Sequence, residues 1–301
     1  HAEQTAKIML EFEKVLEKDR CDLVIVFGDV NSTIACSLTA KKMGVPVAHV
    51  EAGLRSFDES MPEEINRRLT DAVSDFLFTP SLDGNENLKR EGVTEEKVFF
   101  VGNIMIDSLK KVIDGLSEDL EKKVLNQFGA DFKNYGLITL HRPSNVDKSD
   151  QLIHICRALK KISEKIQLVF PVHPRTQKNI QELEINFDSD KNLVLVKPLR
   201  FKEFITLEKN ARFVLTDSGG IQEETTYLNI PCFTLRPNTE RPITISEGTN
   251  TLVNVSSMEK EISLLNDEFN SPGLQKKVNR IMFWDGKTAE RIAKILKEKL
   301  I

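Results

Sequence analysis

The sequence predicts an α/β protein built from two doubly wound, Rossmann-like domains, each with a parallel sheet. Short apolar runs rich in β-branched residues alternate with longer amphipathic segments through most of the 301 residues. Glycine-containing turns follow several of these runs, as they do between a strand and a helix of a parallel sheet. The length is sufficient for two domains of typical size.

Composition excludes several classes of protein. With 40% hydrophobic and 29% charged residues, the chain is neither disordered nor fibrous. A net charge of −4 without a strongly basic block argues against nucleic acid or an anionic membrane surface as the main partner. No apolar run approaches the roughly 20 residues of a membrane-spanning helix. The four cysteines lack CxxC spacing, so we expect reduced thiols in a cytoplasmic protein and no zinc site.

The first domain is assigned to residues 1–115, where apolar spacing alternates between the helical and the extended period. Asp29 follows the first predicted strand and Glu51 follows the second. A carboxylate at a strand end either faces a ligand or caps the next helix, and both readings are open for each residue. The predicted elements are a helix at 6–16, a strand at 22–27, a helix at 32–43, a strand at 45–50, a helix from Pro62, a strand at 75–80, a helix at 81–91 and a strand at 98–103.

The second domain is assigned to residues 116–286, and residues 287–301 form a C-terminal helix expected to pack back on the first domain. Two of the predicted strands end in histidine, His141 and His173, each beside an arginine that suits an anionic ligand. The predicted elements are a helix at 117–128, a strand at 135–140, a helix at 149–162, strands at 167–174, 193–196, 213–215 and 231–235, and a final helix at 288–299.

The turn Asp217-Ser218-Gly219-Gly220 follows a short apolar strand and precedes a helix. Ser218 is a candidate N-cap, and the glycines let ligand atoms approach the free N–H groups of the first helical turn. A phosphate suits this position, although a turn that binds nothing is the alternative reading. Glu223 and Glu224 are expected in the first turn of the helix, where one of them faces a neutral group such as ribose hydroxyls.

Two doubly wound domains place two rows of strand ends across a cleft, an arrangement that suits a nucleotide-sugar. The glycine turn would bind the diphosphate, and Asp29 and Glu51 would lie beside the sugar. A carboxyl group with a pKa raised toward neutrality can remove or return a proton. No residues with metal-ligand spacing are visible, so we expect chemistry without a metal or another cofactor.

Seven motifs follow one another along the chain. They are Gly28-Asp29, His49-Val50-Glu51-Ala52-Gly53-Leu54-Arg55, Pro62-Glu63-Glu64-Ile65-Asn66-Arg67, His141-Arg142, Pro171-Val172-His173, Thr216 to Glu224, and Thr239-Glu240-Arg241-Pro242. In this order and spacing they together resemble the non-hydrolysing UDP-N-acetylglucosamine 2-epimerases over nearly the whole chain. The resemblance implies a GT-B fold, a UDP-sugar substrate, a homodimer and a role in surface polysaccharide or cell-envelope precursor synthesis.

The resemblance implies interconversion of UDP-N-acetylglucosamine and UDP-N-acetylmannosamine. In such enzymes a base takes the C2 proton as UDP leaves, and UDP adds back to a 2-acetamidoglucal intermediate after C2 is reprotonated on the other face. By motif position the catalytic residues are Asp29, Glu51, Glu63 and His141. His141 is expected to assist departure of the diphosphate.

The resemblance also implies positions for the nucleotide and for an activator. Many relatives read His-Arg-Arg-Glu where this chain has His141-Arg142-Pro143-Ser144, which puts contacts from the last two positions in question. Arg142 and His173 resemble part of a site where some relatives bind a second substrate molecule. The implied nucleotide contacts are Leu199 and Phe204 at uracil, Ser218, Gly219 and Gly220 at the phosphates, Glu224 at ribose, and Arg241.

The family opens with a glycine turn that has no counterpart here, so the first domain is expected to lack on the order of 70 residues of a typical domain. We therefore expect weak or no turnover by the chain as given. Three alternatives stay open: a hydrolysing 2-epimerase that releases free N-acetylmannosamine, a GT-B glycosyltransferase that needs an acceptor, and an inactive fragment that binds UDP.

Overall fold

The protein is described by a computed structural model that covers residues 1–131, 133–185, 187, 192–269 and 281–300. The chain divides into two compact units, and the division falls inside one helix. Unit 1 contains His1–Ser108, Glu240–Ile243 and Ile281–Ile301, and unit 2 contains Leu109–Thr239 and Thr244–Arg280. Residues 270–280, which the second predicted domain includes, lie outside the described residues.

Helices and strands alternate along the chain, as the sequence predicts. The strands are β1 (Val24–Phe27), β2 (Val47–Val50), β3 (Phe76–Thr79), β4 (Val98–Phe100), β5 (Tyr135–Thr139), β6 (Gln167–Pro171), β7 (Leu193–Val196), β8 (Phe213–Thr216), β9 (Cys232–Leu235) and β10 (Asn250–Val253). The helices are α1 (Ala2–Lys18), α2 (Asn31–Lys42), α3 (Pro62–Val73), α4 (Leu82–Arg90), α5 (Ile104–Asp114), α6 (Glu118–Gln127), α7 (Pro143–Val146), α8 (Ser149–Ser163), α9 (Pro174–Glu182), α10 (Phe201–Asn210), α11 (Gly219–Leu228), α12 (Ile243–Ser246), α13 (Val255–Phe269) and α14 (Thr288–Leu300).

In unit 1, the described strands form a parallel sheet in the order β1-β2-β3-β4. One apolar cluster joins α1 and α2 to the sheet through residues such as Leu16, Val26 and Ala40. A second cluster places Ile292 of α14 against Val50 and Phe78. Helices from both ends of the chain therefore supply the core of this unit.

The strand β1 is covered on one face within the described residues. A continuous apolar run is typical of a strand buried on both faces, yet Ile25 and Phe27 are 42% and 56% exposed. Successive side chains of a strand point to opposite faces, and α1 and α2 cover only the face that carries Val24 and Val26. A run of apolar residues thus did not reveal which face is covered.

In unit 2, the described strands form a parallel sheet in the order β10-β9-β8-β5-β6-β7. This is the order of a dinucleotide-binding Rossmann sheet, in which the winding reverses between the first and fourth strands of the unit. The reversal lies between β5 and β8, where Thr139 pairs with Thr216. Ligands of such sheets bind at the carboxyl ends of these two strands.

Local signals explain where individual elements begin and end. Pro62 occupies the first turn of α3, where its missing N–H costs nothing. The hydroxyl of Ser117 accepts a 3.3 Å hydrogen bond from the Leu120 N–H and caps α6. Gly44 follows α2 with φ +74, a conformation that favours glycine. These signals were readable in the sequence.

Gly136 gives a stability prediction because the Phe213 ring packs directly on it. A Cβ atom at this position would lie 2.3 Å from Phe213 Cζ, within a core where Phe213 also contacts the Phe233 ring. We expect Gly136→Ala to lower the free energy of unfolding by about 1–3 kcal/mol through overpacking, measured by urea denaturation. Gly115→Ala is the matched control, since its Cβ would meet atoms no closer than 3.5 Å. Equal stability of the two variants would contradict the prediction.

Candidate active site

Asp29 and Glu51 lie at the same edge of the unit 1 sheet. The strands that precede them are parallel neighbours, and Phe27 pairs with Val50 in the last register position. A Cβ built on Gly28 would lie 3.4 Å from Glu51 Oε2, so the Glu51 carboxyl lies against the turn that carries Asp29. The structure therefore brings together two of the residues that the sequence indicates as catalytic.

Glu51 has an unusual backbone and an unusual carboxyl group. Its φ is 75°, in the left-handed backbone region that residues other than glycine and asparagine rarely adopt. Burial raises the pKa of Glu51, Arg241 acts to lower it, and the charge of Asp29 acts to raise it, with a net rise. Burial and the charge of Asp29 thus favour the protonated form of the Glu51 carboxyl group more than water does, which is a property of a group that exchanges protons.

Arg67 of α3 joins two carboxylates at this edge. Its Nε lies 3.1 Å from Asp29 Oδ2, its Nη2 contacts the same oxygen, and its Nη1 lies 2.5 Å from Glu64 Oε2. The Arg67 side chain is 3% exposed, so its charge is poorly screened by water. Arg67 therefore fixes the direction of the Asp29 carboxylate.

Glu63 and Glu64 both lie in the first turn of α3, as predicted, but their surroundings differ. Glu64 is buried and accepts hydrogen bonds from the Ser56 N–H at 2.9 Å and the Phe57 N–H at 3.1 Å. Glu63 is exposed and makes no hydrogen bond or ion pair within the described residues. The structure thus connects Glu64, rather than the predicted Glu63, to Asp29 through Arg67.

Arg241 belongs to unit 1 although the chain around it belongs to unit 2. Its Nη1 lies 2.5 Å from Glu240 Oε1, and its side chain is largely buried. Its positive charge acts on Glu51 and lowers the pKa of that carboxyl group. The predicted substrate contact at Arg241 therefore lies within reach of a predicted catalytic residue.

In unit 2, Asp217 ties together the two loops at the reversal of the sheet. Its carboxylate is fully buried and accepts hydrogen bonds from the N–H groups of His141 at 3.1 Å and Arg142 at 2.9 Å. Asn145 Nδ2 donates a further bond at 3.1 Å. The residues that follow β5 and β8 therefore belong to one hydrogen-bond network.

The imidazole of His141 is oriented by the same carboxylate. Its Nδ1 lies 2.9 Å from Asp217 Oδ1, and an ionised carboxylate only accepts, so Nδ1 carries the proton. The side chain is 50% exposed, and Nε2 has no hydrogen-bond partner within the described residues. A histidine held through Nδ1 by a buried aspartate presents its Nε2 for proton transfer or for a hydrogen bond to a ligand.

The helix α11 begins at Gly219, with Ser218 as its N-cap residue. The Ser218 N–H donates to Thr216 Oγ1 at 2.9 Å, but its side chain makes no capping bond. A Cβ at Gly220 would meet no atom within 4 Å, so packing inside the protein does not require glycine there. Space beside the first N–H groups of a ten-residue helix is what an anionic group needs.

The expectation that Glu223 and Glu224 lie in the first turn of α11 is wrong. They are its fifth and sixth residues, and both are buried, at 2% and 5% exposure. Glu224 lies close enough to Glu208 of α10, which is fully buried, for its charge to act on that carboxyl group. Burial raises the pKa of both carboxyl groups, and the charge of Glu224 raises that of Glu208 further. Two like charges at such a buried position disfavour ionisation of both groups at once.

The remaining predicted residues of unit 2 lie near these elements. Leu199 and Phe204 are partly buried against an apolar cluster that also contains Ile221 of α11. His173 is exposed at the N-cap of α9, after β6, which neighbours β5. Arg142 Nε donates to the Asp217 carbonyl at 2.9 Å. His173 and Arg142 therefore follow adjacent strands.

Within the described residues, no group of three or more His, Cys, Asp or Glu is arranged to hold a metal ion. No described helix combines the length and the apolar character required to cross a bilayer.

The Rossmann strand order, the glycine turn at the reversal and the carboxyl groups at the ends of β1 and β2 define an α/β enzyme of the nucleotide-sugar class. A family model described as UDP-N-acetylglucosamine 2-epimerase matches residues 1–297. The UDP-N-acetylglucosamine 2-epimerase of Methanocaldococcus jannaschii is 44% identical over 305 residues, which cover 98% of this chain and 81% of the relative. The chain belongs to the UDP-N-acetylglucosamine 2-epimerase family.

Solved structures agree with this assignment. The structure of the M. jannaschii enzyme in complex with UDP-GlcNAc and UDP has a TM-score of 0.87 and 43% identity, covering 99% of this chain and 82% of that one. The Neisseria meningitidis enzyme bound to UDP-GlcNAc has a TM-score of 0.87 and 32% identity, covering 98% and 81%. The predicted family and the predicted α/β, GT-B-like fold are confirmed.

Asp217 gives a prediction for stability and its pH dependence. Burial acts to raise the pKa of Asp217, but the hydrogen bond and charge of His141, with bonds from Asn145 and Arg142, outweigh it and lower the pKa. A lowered folded-state pKa contributes stability above the unfolded value of about 3.9, and this stability is lost as the pH falls through the folded-state pKa.

We expect Asp217→Asn to lower the free energy of unfolding by about 2 kcal/mol or more at neutral pH, since an amide cannot accept all of these bonds. The difference from the unaltered chain should shrink below about pH 4. Urea denaturation across the pH range measures it, with Asp131→Asn, an exposed site, as the control. A difference that is independent of pH would contradict the linkage.

Proposed function

We propose that this enzyme interconverts UDP-N-acetylglucosamine and UDP-N-acetylmannosamine without hydrolysis. Family membership over residues 1–297 supports the reaction, and the pKa of Glu51, which burial and the charge of Asp29 raise, is the observation that supports a proton transfer. We also propose that the enzyme is a cytoplasmic homodimer and that it serves surface polysaccharide or cell-envelope synthesis. The molecular mass in solution tests the dimer.

The reaction requires loss and return of one proton at C2 of the sugar. The electron pair of the C2–H bond forms a double bond between C1 and C2 as the bond from C1 to the UDP oxygen breaks. The intermediate is 2-acetamidoglucal, and UDP keeps the electron pair of the broken bond. Addition of UDP to C1 with a proton delivered to the opposite face of C2 completes the inversion.

Glu51 is proposed as the group that exchanges the C2 proton. Its carboxyl group has a raised pKa, and a carboxylate with a raised pKa takes up a proton more readily than an ordinary one. The left-handed backbone sets the direction in which the Cα–Cβ bond of Glu51 leaves the chain, and this restricts the positions that the carboxyl group can reach. Asp29, fixed by Arg67, and Glu63 are proposed as the other catalytic carboxylates.

His141 is proposed to assist departure and return of the diphosphate. The bond from Nδ1 to Asp217 fixes the direction of the ring, and Nε2, when it carries a proton, can donate to a phosphate oxygen. This hydrogen bond then stabilises the negative charge that develops on the phosphate oxygen of the leaving UDP.

The nucleotide is proposed to bind at the end of the unit 2 sheet. Ser218, Gly219 and Gly220 would offer helix N–H groups to the phosphates, as supported by the space beside Gly220. Glu224 would bind the ribose hydroxyls. Leu199 and Phe204 would contact the uracil and Arg241 the charged part of the substrate, while Arg142 and His173 would bind a second UDP-sugar as an activator.

The products distinguish this proposal from the hydrolysing reaction and from glycosyl transfer. Incubation with UDP-N-acetylglucosamine in D₂O should give two UDP-sugars with deuterium at C2 and no acceptor requirement, detected by proton NMR. Free N-acetylmannosamine would favour hydrolysis, turnover only after an acceptor is added would favour a transferase, and UDP binding without any exchange would favour an inactive fragment. Exchange accumulates with time, so the assay also detects slow turnover.

We expect Glu51→Gln to abolish deuterium exchange at C2 while UDP affinity changes less than about threefold, because the amide keeps the shape but cannot take a proton. Proton NMR gives the exchange and calorimetry gives the affinity. Glu59→Gln, at an exposed position of the loop before α3, should retain exchange. An equal loss of UDP binding in Glu51→Gln would argue against a catalytic role.

We expect Ser218→Trp to weaken UDP binding by at least about 100-fold, since an indole there fills the space beside the start of α11 and removes a phosphate contact worth roughly 3 kcal/mol. Calorimetric titration with UDP measures the loss. Ser149→Trp, at the exposed start of α8, is the control for introducing an indole. Unchanged UDP affinity of Ser218→Trp would place the phosphates elsewhere.

A further inference from the structure

His49 occupies the third position of β2 and is completely buried. Its Nδ1 lies 2.6 Å from Asp71 Oδ1, and its Nε2 lies 2.8 Å from the carbonyl oxygen of Gly28. Both ring nitrogens therefore have partners. The residue lies two positions before Glu51 and contacts the turn that leads to Asp29.

The identity of these partners determines the protonation state of the ring. A peptide carbonyl can only accept a hydrogen bond. Asp71 also receives Arg55 Nη1 at 2.7 Å and the Gly53 N–H at 3.1 Å, so its carboxylate is ionised and accepts as well. Both ring nitrogens of His49 must then donate, which only the imidazolium form can do.

The surrounding charges support a buried cation. In the ion-pair network that contains His49, the positive charges of His49 and Arg55 match the negative charges of Asp71 and Glu91. The other charged groups around Glu51 are Asp29, Arg67 with its partner Glu64, and Arg241 with its partner Glu240. Burial lowers the pKa of His49, but Asp71 and the Gly28 carbonyl outweigh it and the pKa is raised. The pKa of Asp71 is lowered in turn.

We propose that His49 is a permanently charged positioning residue, which holds the turn before Asp29 and supplies a fixed positive charge that keeps Glu51 available as a base. The catalytic consequence rests on the proposed function, whereas the charge of His49 does not. Arg67 and Arg241 also act on Glu51, and each of the three cations pairs with another carboxylate. His49 differs because it is part of the sheet itself.

The protonation state is tested directly on the chain without substrate. With ¹⁵N-labelled histidine at about pH 8.5, roughly two units above the ordinary histidine pKa of about 6.5, we expect both ring nitrogens of His49 to carry directly bonded protons in the NMR spectrum. Loss of the signals in His49→Gln assigns them. A non-protonated ring nitrogen at this pH would overturn the proposal.

The effect on Glu51 is tested by ¹³C NMR of the glutamate carboxyl groups, with Glu51→Gln as the assignment. In His49→Gln we expect the titration midpoint of Glu51 to rise by about one unit, because an opposing charge has been removed. His154→Gln, an exposed histidine of α8, is the control for loss of a histidine and should leave the midpoint and any C2 exchange unchanged. An unchanged midpoint in His49→Gln would overturn the proposed charge effect.

A second variant covers failure of His49→Gln to fold. Asp71→Asn keeps the histidine but removes the countercharge, so His49 should lose one ring proton by about pH 8.5 and the Glu51 midpoint should rise. An unchanged Glu51 midpoint in this variant, once His49 has lost a ring proton, would overturn the proposed charge effect. Absence of C2 exchange in the unaltered chain would contradict the proposed function alone, since both titrations are made without substrate.

Discussion

The buried carboxylate of Asp217 is the interaction on which the arrangement of the chain at the end of the unit 2 sheet depends. Four donor groups that follow β5 converge on it, from His141, Arg142 and Asn145. Because β5 and β8 are neighbours at the reversal of the sheet, these bonds hold the His141 imidazole at the strand end where α11 begins. One aspartate thereby holds together the two segments that the proposed nucleotide site requires.

Asp71 is a second buried aspartate that collects several donors, in unit 1, and two of its donors are the charged side chains of His49 and Arg55. It receives donors from His49, Arg55 and Gly53, and its pairs with His49 and Arg55 are almost completely buried. Removing one partner of such a pair leaves an uncompensated charge in a medium of low dielectric, which is strongly destabilising. The loop between β2 and α3 is therefore anchored by charge as well as by apolar packing.

Much of the fold was readable from the sequence because strands and their ends have local signatures. The apolar runs before Asp29, Glu51, His141 and Ser218 stop at polar or glycine residues, and the structure places each of these residues after a strand. The alternation of periods also predicted the α/β class. These signals need no knowledge of distant contacts.

Contacts between residues far apart in the chain were not readable. Arg67 and Asp29 are separated by 38 positions, and Asp217 and His141 by 76, so no spacing rule connects them. Asp217 was noticed only as part of a turn, and Glu64 and Glu208 have no local signal of burial. Glu223 and Glu224 lie in the second turn of α11 although Ser218 is the N-cap that the sequence indicates, because a first turn of about 3.6 residues from Gly219 ends at Gln222.

The backbone of Glu51 has a consequence for how this enzyme can change. A left-handed φ at a glutamate costs on the order of 1–3 kcal/mol, and glycine or asparagine would relieve the strain. Replacing Glu51 by either residue should therefore make the molecule more heat-resistant while removing the proposed acid–base group. A thermal screen that ignores turnover would then select chains in which the proposed reaction has been lost.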